Sequence, residues 1–315
     1  MKIAERAPDQ TLIVAVFVLL TLIWGTTWAA IRAGLEGLPP LTGVSLRFGI
    51  AATLLFLALR LFGVRFTRTR RERVLWCVTA ALGYAVPYSV VYWTGQWVPS
   101  GLASVLFATF PLFVALFAHQ AIPAEQMSLR GAVGVVGGFV GIAVIFSQDF
   151  ALIGGADVAF AAGVALVAPA VAAIGSVAVK RYGAGIHPLS LTAVPMALTA
   201  ATVGVLAALL ERDRVLVFDA TSIGALLYLS VAGTAVTFSL YYWLLARVAA
   251  SRLALIAYTT PIVAVLVGAA VFREPITTRM VIGGAMVIAG VALAATRRER
   301  LHGADPDRRP ERNRR

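Results

Sequence analysis

Residues 83–116, GYAVPYSVVYWTGQWVPSGLASVLFATFPLFVAL, are repeated in altered form 150 residues later. The second copy, residues 233–266, reads GTAVTFSLYYWLLARVAASRLALIAYTTPIVAVL and keeps glycine, tyrosine, tryptophan and proline at matching positions. Pro111 and Pro261 are one such pair. Related residues continue the match at a spacing of 148 upstream and 149 downstream. The chain is therefore a duplication, and a repeat of this length organises the whole fold.

The composition of the chain is that of a membrane protein. Hydrophobic residues make up 60% of the 315 residues and charged residues 13%, with a mean hydropathy of +0.86. Soluble domains average about 45–50% apolar and about 25% charged residues. A membrane-spanning helix needs about 20 apolar residues. Stretches of that length are predicted at 11–32, 41–62, 74–94, 100–120, 129–147, 156–179, 188–210, 221–245, 251–272 and 279–296.

The predicted helices fall into two groups of five, and an odd number reverses the orientation of the second group. The predicted fold class is all-α integral membrane, with ten transmembrane helices as two inverted five-helix repeats. The repeats are predicted at residues 11–147 and 156–296, joined by a periplasmic or extracellular connector at 148–155. Inverted repeats are a frequent architecture of secondary transporters, with substrate bound between the copies.

Positive charges are distributed unequally between alternate loops. Lys and Arg number 27 against 15 Asp and Glu, a net charge of +12. If the N-terminus (residues 1–10) is cytoplasmic, 21 of the 27 lie in cytoplasmic segments, including a basic, disordered tail at 297–315. By the positive-inside rule, both termini are predicted in the cytoplasm of a multi-pass protein of the cell inner (plasma) membrane. Because topology accounts for the charge, the lipid bilayer is a predicted partner and nucleic acid is not.

The residues that most enzyme mechanisms require are missing from the predicted spans. Cys77 is the only cysteine, which excludes a cysteine metal cluster. No Asp or Glu lies in the interior of a predicted helix, and the chain contains no HExxH, GxSxG or Walker lysine. Proton relays and hydrolytic sites use such residues. We therefore predict no cofactor, no enzymatic activity and a small-molecule substrate as partner.

Several motifs follow one another in a fixed order along the predicted helices. The first helix contains WGTTW (24–28), the second LRF around Arg47, and the fourth ASVLFATFPLFVAL. The ninth contains ALIAYTTPIVAVLVGAAVFREPIT, and glycine-rich helices follow the fourth and the ninth. In this order the chain resembles the EamA family of the drug/metabolite transporter superfamily, departing from it at PAEQ (123–126), where Gly-Glu is usual. The resemblance covers nearly everything except the tail. It implies a ten-helix fold of two inverted repeats that exports amino acids or other small metabolites.

Arg47 lies within the second predicted helix, where an ionisable residue is costly and usually faces a cavity or a partner. One interpretation is a gating role, in which the cation meets a substrate carboxylate or a carbonyl of the gate. The other is a helix tether that backbone carbonyls satisfy. The matching position in the second half is Pro195. Because the duplication keeps no charge there, the pattern favours the tether.

Aromatic residues at helical spacing are the candidates for contact with substrate. Tyr84 and Tyr88 lie four residues apart on the third predicted helix, and Phe238 on the eighth matches Tyr88. Trp24 and Trp28 are four apart on the first helix, which borders the cavity in the family that the chain resembles. Aromatic rings with a few hydroxyls suit a neutral or zwitterionic metabolite with an apolar part. We predict that these five side chains bind substrate, with plain packing as the alternative.

Pro111 and Pro261 occupy the middle of the fourth and ninth predicted helices. A proline removes a backbone hydrogen bond and kinks its helix, and interrupted helices at matching positions indicate the binding level in transporters. We predict that both prolines are gating residues, and that the neighbouring Tyr258 and Thr259 bind substrate. A static kink required for packing is the alternative.

Glycines form small-residue faces on the fifth and tenth predicted helices. Such faces let helices approach closely in lipid. We predict that they serve helix packing or a homodimer. The glycines are Gly131, Gly134, Gly138, Gly141, Gly283, Gly284 and Gly290.

The combined prediction is a secondary transporter that exports amino acids or related compounds by alternating access of its inverted repeats. Substrate is expected near the level of the two prolines, between helices one, three, four, six, eight and nine. Within transport, the alternatives are a multidrug or nucleotide-derived substrate, or uptake in place of export. In another class, the alternative is a non-transporting membrane receptor or an intramembrane enzyme, which would require a polar pair inside a helix.

Overall fold

The computed structural model describes residues 10–64, 66, 68–98, 100–145, 147, 156–272 and 277–295. The predicted connector at 148–155 and the tail at 297–315 lie outside these residues, as do residues 1–9. The described part of the chain is helical and contains no β-strand. The helices are α1 (Gln10–Leu35), α2 (Pro40–Leu61), α3 (Arg70–Thr94), α4 (Ser100–Phe107 and Phe110–Ala121), α5 (Leu129–Ile145), α6 (Ala156–Ala165 and Val167–Tyr182), α7 (Ser190–Leu210), α8 (Ala220–Leu245), α9 (Ala250–Ala254 and Ile256–Phe272) and α10 (Thr278–Ala295).

Seven of these helices are long and apolar enough to cross a membrane, namely α1, α2, α3, α4, α6, α7 and α8. Their most apolar windows have mean hydropathies between 1.6 and 2.2. Shorter apolar helices lie at Leu129–Ile145 in α5 and Val281–Ala294 in α10. The chain is therefore an all-α, multi-pass membrane protein. The count of ten spans and the inverted orientation of the second half stay predictions.

Two close helix pairs join the first half of the chain to the second. The helix α2 packs along α7, where the Ser45 hydroxyl donates to the Ala200 carbonyl at 2.9 Å. In a second pairing, α5 packs along α10. The first turn of α2 is capped by Glu211, whose carboxylate accepts the N–H groups of Leu41 at 2.9 Å and Thr42 at 2.8 Å. An anion at a helix N-terminus satisfies otherwise unpaired donors.

The glycine faces of α5 and α10 pack against each other within one chain. A Cβ atom on Gly134 would lie 2.7 Å from the Gly290 carbonyl oxygen, and one on Gly141 would lie 2.7 Å from that of Gly283. Backbones approach this closely only where no side chain separates them. Gly134, Gly141, Gly283 and Gly290 therefore serve helix packing within the chain, whereas Gly284 meets nothing within 4 Å, and a homodimer stays a prediction.

The helices α4 and α9 are each interrupted on the N-terminal side of their proline, at different distances from it. In α4 the two segments are separated at Ala108 and Thr109, so Pro111 lies in the first turn of the second segment. Proline is tolerated there because its missing N–H has no intrahelical partner. In α9 the break is at Leu255, six residues before Pro261, which lies inside the longer segment. The two interruptions therefore lie at different distances from the two prolines, and the gating role of the prolines stays a prediction.

Two π turns occur at corresponding levels of the two halves. One lies at Thr79–Ala85 in α3 and the other at Val231–Val236 in α8. In a π turn each N–H bonds the carbonyl five residues earlier, which changes the face that the following residues present. Such turns are frequent at functional sites. The first turn contributes Gly83 to the lining of the cavity described next, and the second accepts hydrogen bonds from Arg47, which also lines it.

Candidate functional site

A cavity of about 120 Å³ lies among α1, α3, α4, α6, α8 and α9, with one residue from α2. Its walls are mostly aromatic and aliphatic, with a few hydroxyls and one guanidinium. This composition is typical of a small-molecule site. The lining residues are Trp24, Thr27, Trp28, Ile31, Arg47, Gly83, Pro87, Tyr88, Val91, Phe107, Phe110, Ala172, Ser176, Phe238, Tyr241, Tyr242, Ile256, Ala257 and Thr260.

Five of the residues singled out in the sequence meet at this cavity: Trp24, Trp28, Arg47, Tyr88 and Phe238. Phe238 contacts two of the other rings. The Trp24 and Phe238 centroids are 5.5 Å apart, and those of Tyr88 and Phe238 are 6.1 Å apart. The geometry thus joins residues that are more than 200 positions apart in the chain. Their role in binding substrate stays a prediction.

Tyr84 lies behind the cavity wall rather than in it. Its side chain is fully buried, and its ring packs on Phe238 at 4.8 Å and on Phe48 at 5.2 Å. Tyr84 is inside the π turn of α3, whereas Tyr88 follows that turn. The four-residue spacing therefore does not place both tyrosines on the same face. The prediction that Tyr84 contacts substrate directly does not fit this position.

Tyr258 and Thr259 also lie outside the cavity lining. The Tyr258 hydroxyl donates to the Val135 carbonyl at 2.7 Å, and its ring covers Gly138 of α5. Thr259 is hydrogen-bonded to Thr21 at 2.9 Å. Neighbouring helical residues are rotated by about 100°, so the next residue along the helix reaches the cavity instead. Thr260 therefore lines the cavity in place of Tyr258 and Thr259, and contact of any of the three with substrate stays a prediction.

The gating prolines themselves do not contact the cavity, although their neighbours do. Phe110 precedes Pro111 and lines the wall, as Thr260 does before Pro261. Both prolines are buried in helix contacts. Their predicted role in gating would therefore act through the backbone and not through contact with substrate.

Several lining residues were missed by reasoning from the sequence. Tyr241 was overlooked because the matching position in the first half is Val91, which is not aromatic. Ser176 lies on α6, where no polar pattern stands out. The two are hydrogen-bonded through their hydroxyls at 2.7 Å. A search of the sequence for hydroxyl side chains on helices rich in small residues would have returned Ser176 together with many other serines and threonines.

Arg47 is buried, with 1% of its surface exposed, and is anchored to the second half of the chain. Its Nε donates to Thr234 Oγ1 at 2.6 Å, and Nη2 donates to the Gly233 carbonyl at 3.0 Å. Nη1 donates to the Tyr92 hydroxyl at 3.3 Å. Gly233 and Thr234 belong to the π turn of α8. Arg47 therefore tethers α2 to α8 and also lines the cavity, so both sequence interpretations describe part of its geometry.

An aromatic cluster closes the cavity toward the end of the bundle at which α1 begins. The Trp24 and Tyr241 rings contact each other with centroids 5.6 Å apart, and Tyr241 contacts Tyr242 at 5.4 Å. Both tyrosines are 5% exposed. Access from this end therefore requires these rings to move.

Two charged residues secure helix ends beneath this aromatic cluster. Glu125 accepts the N–H groups of Ala250 at 3.0 Å and Ser251 at 3.2 Å, in the first turn of α9. Lys180 donates to the carbonyls of Leu245 at 2.8 Å and Val248 at 2.7 Å, where α8 ends. An anion at a helix N-terminus and a cation at a helix C-terminus are both stabilising. This end is therefore closed by rings and by charge-assisted hydrogen bonds.

Toward the opposite end, a second cavity of about 20 Å³ continues the first. The two cavities share Trp28, Ile31 and Val91. Arg32, the sequence counterpart of Lys180, lines this second cavity and donates to the Gly95 carbonyl at 3.1 Å. Arg32 is exposed, whereas Lys180 is half-buried. The site is thus more open toward the end at which α1 ends.

The arrangement is suited to binding a small molecule. Within the described residues, no group of three or more His, Cys, Asp or Glu could hold a metal ion. The cavity-lining residues include no carboxylate and no histidine.

Known proteins that are similar to this chain include proteins named as transporters. Uncharacterized transporter YoaV of Bacillus subtilis is 26% identical over 275 residues, covering 86% of this chain and 92% of its own. Uncharacterized inner membrane transporter YedA of Escherichia coli K12 is 29% identical over 265 residues, covering 82% of each chain. A solved crystal structure with 18% identity superposes with a TM-score of 0.77 over 91% of this chain and 97% of its own, so the fold is shared. The sequence model of the EamA-like transporter family matches residues 11–147 and 159–296. This chain therefore belongs to the EamA-like transporter family.

Proposed function

We propose that this protein is a secondary transporter that exports amino acids or related small metabolites across the inner membrane. The observation that carries the proposal is a mid-bundle cavity built from both halves of a duplicated chain. Ten spans, arranged as two inverted repeats, would let the halves exchange conformations around that cavity. A cavity built from only one half of the chain would not change its access when the two halves exchange conformations.

The two ends of the cavity are closed to different extents, which is expected of one conformation in an alternating-access cycle. With both termini in the cytoplasm, α1 begins at the inner surface and ends at the outer one. The aromatic cluster, Glu125 and Lys180 then close the cytoplasmic side, while the second cavity leads outward. The conformation is an outward-facing one in this orientation. Rocking of the halves would open the inner end and close the outer.

Counterflow tests the transport proposal directly. Proteoliposomes loaded with unlabelled substrate should take up the labelled compound above the level of empty liposomes, for at least one member of an amino acid and organic acid panel. Ala172→Trp should abolish this uptake, because the indole fills a cavity of about 120 Å³. Leu209→Trp is the matched control, since Leu209 is 67% exposed on α7. A panel without any counterflow would contradict transport.

Cysteine labelling tests the proposed orientation. On a Cys77→Ala background, Glu36→Cys lies in the loop after α1 and Gly185→Cys in the loop after α6. We expect an impermeant thiol reagent to label residue 36 in intact cells and residue 185 only after permeabilisation. The positive-inside distribution is the physical reason. The reverse pattern would place the termini outside and invert the assignment of the two cavity ends.

A further inference from the structure

We infer that the substrate of this cavity carries a net negative charge and is a small monocarboxylate with an apolar or aromatic group. Its carboxylate would pair with Arg47. The inference rests on the proposed transport function and narrows the substrate class of the same site, from amino acids and related metabolites to related carboxylates that lack the ammonium group. Four observations support it, and they concern charge, hydrogen-bond donors, the nearest aromatic ring and an unpaired indole.

The first observation is an uncompensated charge. Of the described residues that line the cavity, Arg47 alone is charged at neutral pH. Its guanidinium is buried, and no described carboxylate lies within 4.0 Å of its nitrogen atoms. Burying a charge without a counter-ion is costly, and a bound anion relieves this cost. The cavity is therefore electrostatically complementary to an anion.

The second observation concerns the donors that remain on Arg47. A guanidinium has five N–H donors. Three of them are used, one each from Nε, Nη1 and Nη2, by Thr234, Tyr92 and Gly233. One N–H is left on each terminal nitrogen. Two such donors match the two oxygens of a carboxylate, and this bidentate pairing is stronger than a neutral hydrogen bond.

The third observation explains why a zwitterion or a cation is less favourable. The cavity lining offers no carboxylate to an ammonium group. The Tyr88 ring already faces a cation, because the Arg47 Cζ atom lies 4.7 Å from its centroid. A substrate ammonium close by would be repelled by Arg47, and in a poorly hydrated cavity this repulsion is weakly screened. The charge balance therefore favours a monoanion over an amino acid.

The fourth observation is a buried donor that lacks a partner. The Trp24 Nε1–H group is buried and has no acceptor among the described residues, and Trp24 lines the cavity. Buried N–H groups are nearly always paired, so an unpaired one at a cavity indicates that a ligand or water supplies the acceptor. The remaining surface is mostly aromatic, as at Trp28, Phe107 and Phe238. A carboxylate on a short apolar group supplies both an acceptor and a matching surface.

A series of four probes on one scaffold tests the inference. They are 3-phenylpropionate (anion), phenylalanine (zwitterion), 3-phenylpropanol (neutral) and 3-phenylpropylamine (cation), titrated against the purified protein by tryptophan fluorescence. We expect the anion to bind about tenfold or more tightly than the neutral alcohol, as hydrogen bonds to a charged group imply. The zwitterion should bind more weakly than the anion, and the cation most weakly.

Substitutions of Arg47 then test whether this residue causes the preference for the anionic probe. Arg47→Gln should remove the preference for the anion, and Arg47→Lys should keep part of it, because lysine keeps the charge but not the fork. Arg60→Gln is the control on the same helix, because Arg60 is exposed and lines neither cavity, and it should leave the ranking unchanged. If Arg47→Gln does not fold, the ranking on the unaltered protein and on Arg47→Lys decides the question. Equal binding of all four probes, or tightest binding of the alcohol or the amine, would overturn the inference.

Counterflow of the same probes separates the two proposals. Transport of phenylalanine or the alcohol with no preference for the anion would refute the substrate class and leave the transport function intact. Binding of the anion without counterflow of any probe would refute transport and leave the charge preference intact. Counterflow of 3-phenylpropionate that is lost in Arg47→Gln, with folded yield retained, would support both.

Discussion

Replacing Gly283 with alanine is expected to lower the folded yield of this protein sharply, whereas the same change at the adjacent Gly284 should leave it unchanged or raise it. A Cβ atom on Gly283 would lie 2.5 Å from the Gly141 carbonyl oxygen and 2.9 Å from the Ile145 backbone nitrogen. Backbone atoms cannot rotate away as a side chain can, so α5 and α10 must separate. Overpacking of this kind costs about 1–3 kcal/mol or more.

The control variant at Gly284 separates the effect of close packing from the effect of adding a methyl group to this helix. A Cβ atom there meets nothing within 4 Å, and alanine is a better helix former than glycine by about 1 kcal/mol. Both variants change the same residue type in the same helix, so their hydropathy is identical. The measurement is the monodisperse fraction in size-exclusion chromatography and the melting temperature in detergent.

The partner helix provides a reciprocal test. Gly141→Ala should be as damaging as Gly283→Ala, because its Cβ atom would lie 2.7 Å from the Gly283 carbonyl oxygen. Gly137→Ala on the same helix should be harmless, since nothing lies within 4 Å of the added atom. Equal behaviour of damaging and control variants would mean that the two helices are not in this close contact.

Replacing Glu125 with alanine is expected to open the cavity at the end where α1 begins, which is the cytoplasmic end in the proposed orientation. The carboxylate caps the first turn of α9 through the N–H groups of Ala250 and Ser251, and loss of a helix cap costs about 0.5–2 kcal/mol. If the cap exists only while this end is closed, the closed state loses that stabilisation, and about 1.4 kcal/mol corresponds to a tenfold shift in population. Glu125→Gln should have a smaller effect in the same direction, because one oxygen acceptor remains.

A cysteine at a lining position reports the shift. Ala257→Cys on the Cys77→Ala background lies in the cavity wall on α9. Adding Glu125→Ala should increase its labelling from the cytoplasmic side and decrease it from the outside. The matched control is Glu211→Ala, which removes a cap of similar geometry from α2 at the opposite end. Increased cytoplasmic labelling in both variants, or in neither, would show that Glu125 does not hold this end closed.

The amino-acid sequence alone determined the class of the protein and identified part of its candidate site. Apolar length and charge asymmetry are local properties, so they predicted a multi-pass helical membrane protein without knowledge of contacts. The order of motifs predicted the family that the comparison confirmed. Five of the residues chosen as site candidates, including Trp24 and Phe238, meet at one cavity.

The tertiary structure decided which face each helix presents and which helix it meets. A π turn alters the register in α3, so Tyr88 reaches the cavity while Tyr84 lies behind it. One residue of helical rotation separates Thr259 from Thr260. A glycine stripe indicates that another helix packs closely against it. It does not identify that helix, because small residues fit against any neighbour. Only the packing of the described helices showed that these stripes meet each other and that Arg47 is both a tether and part of the cavity wall.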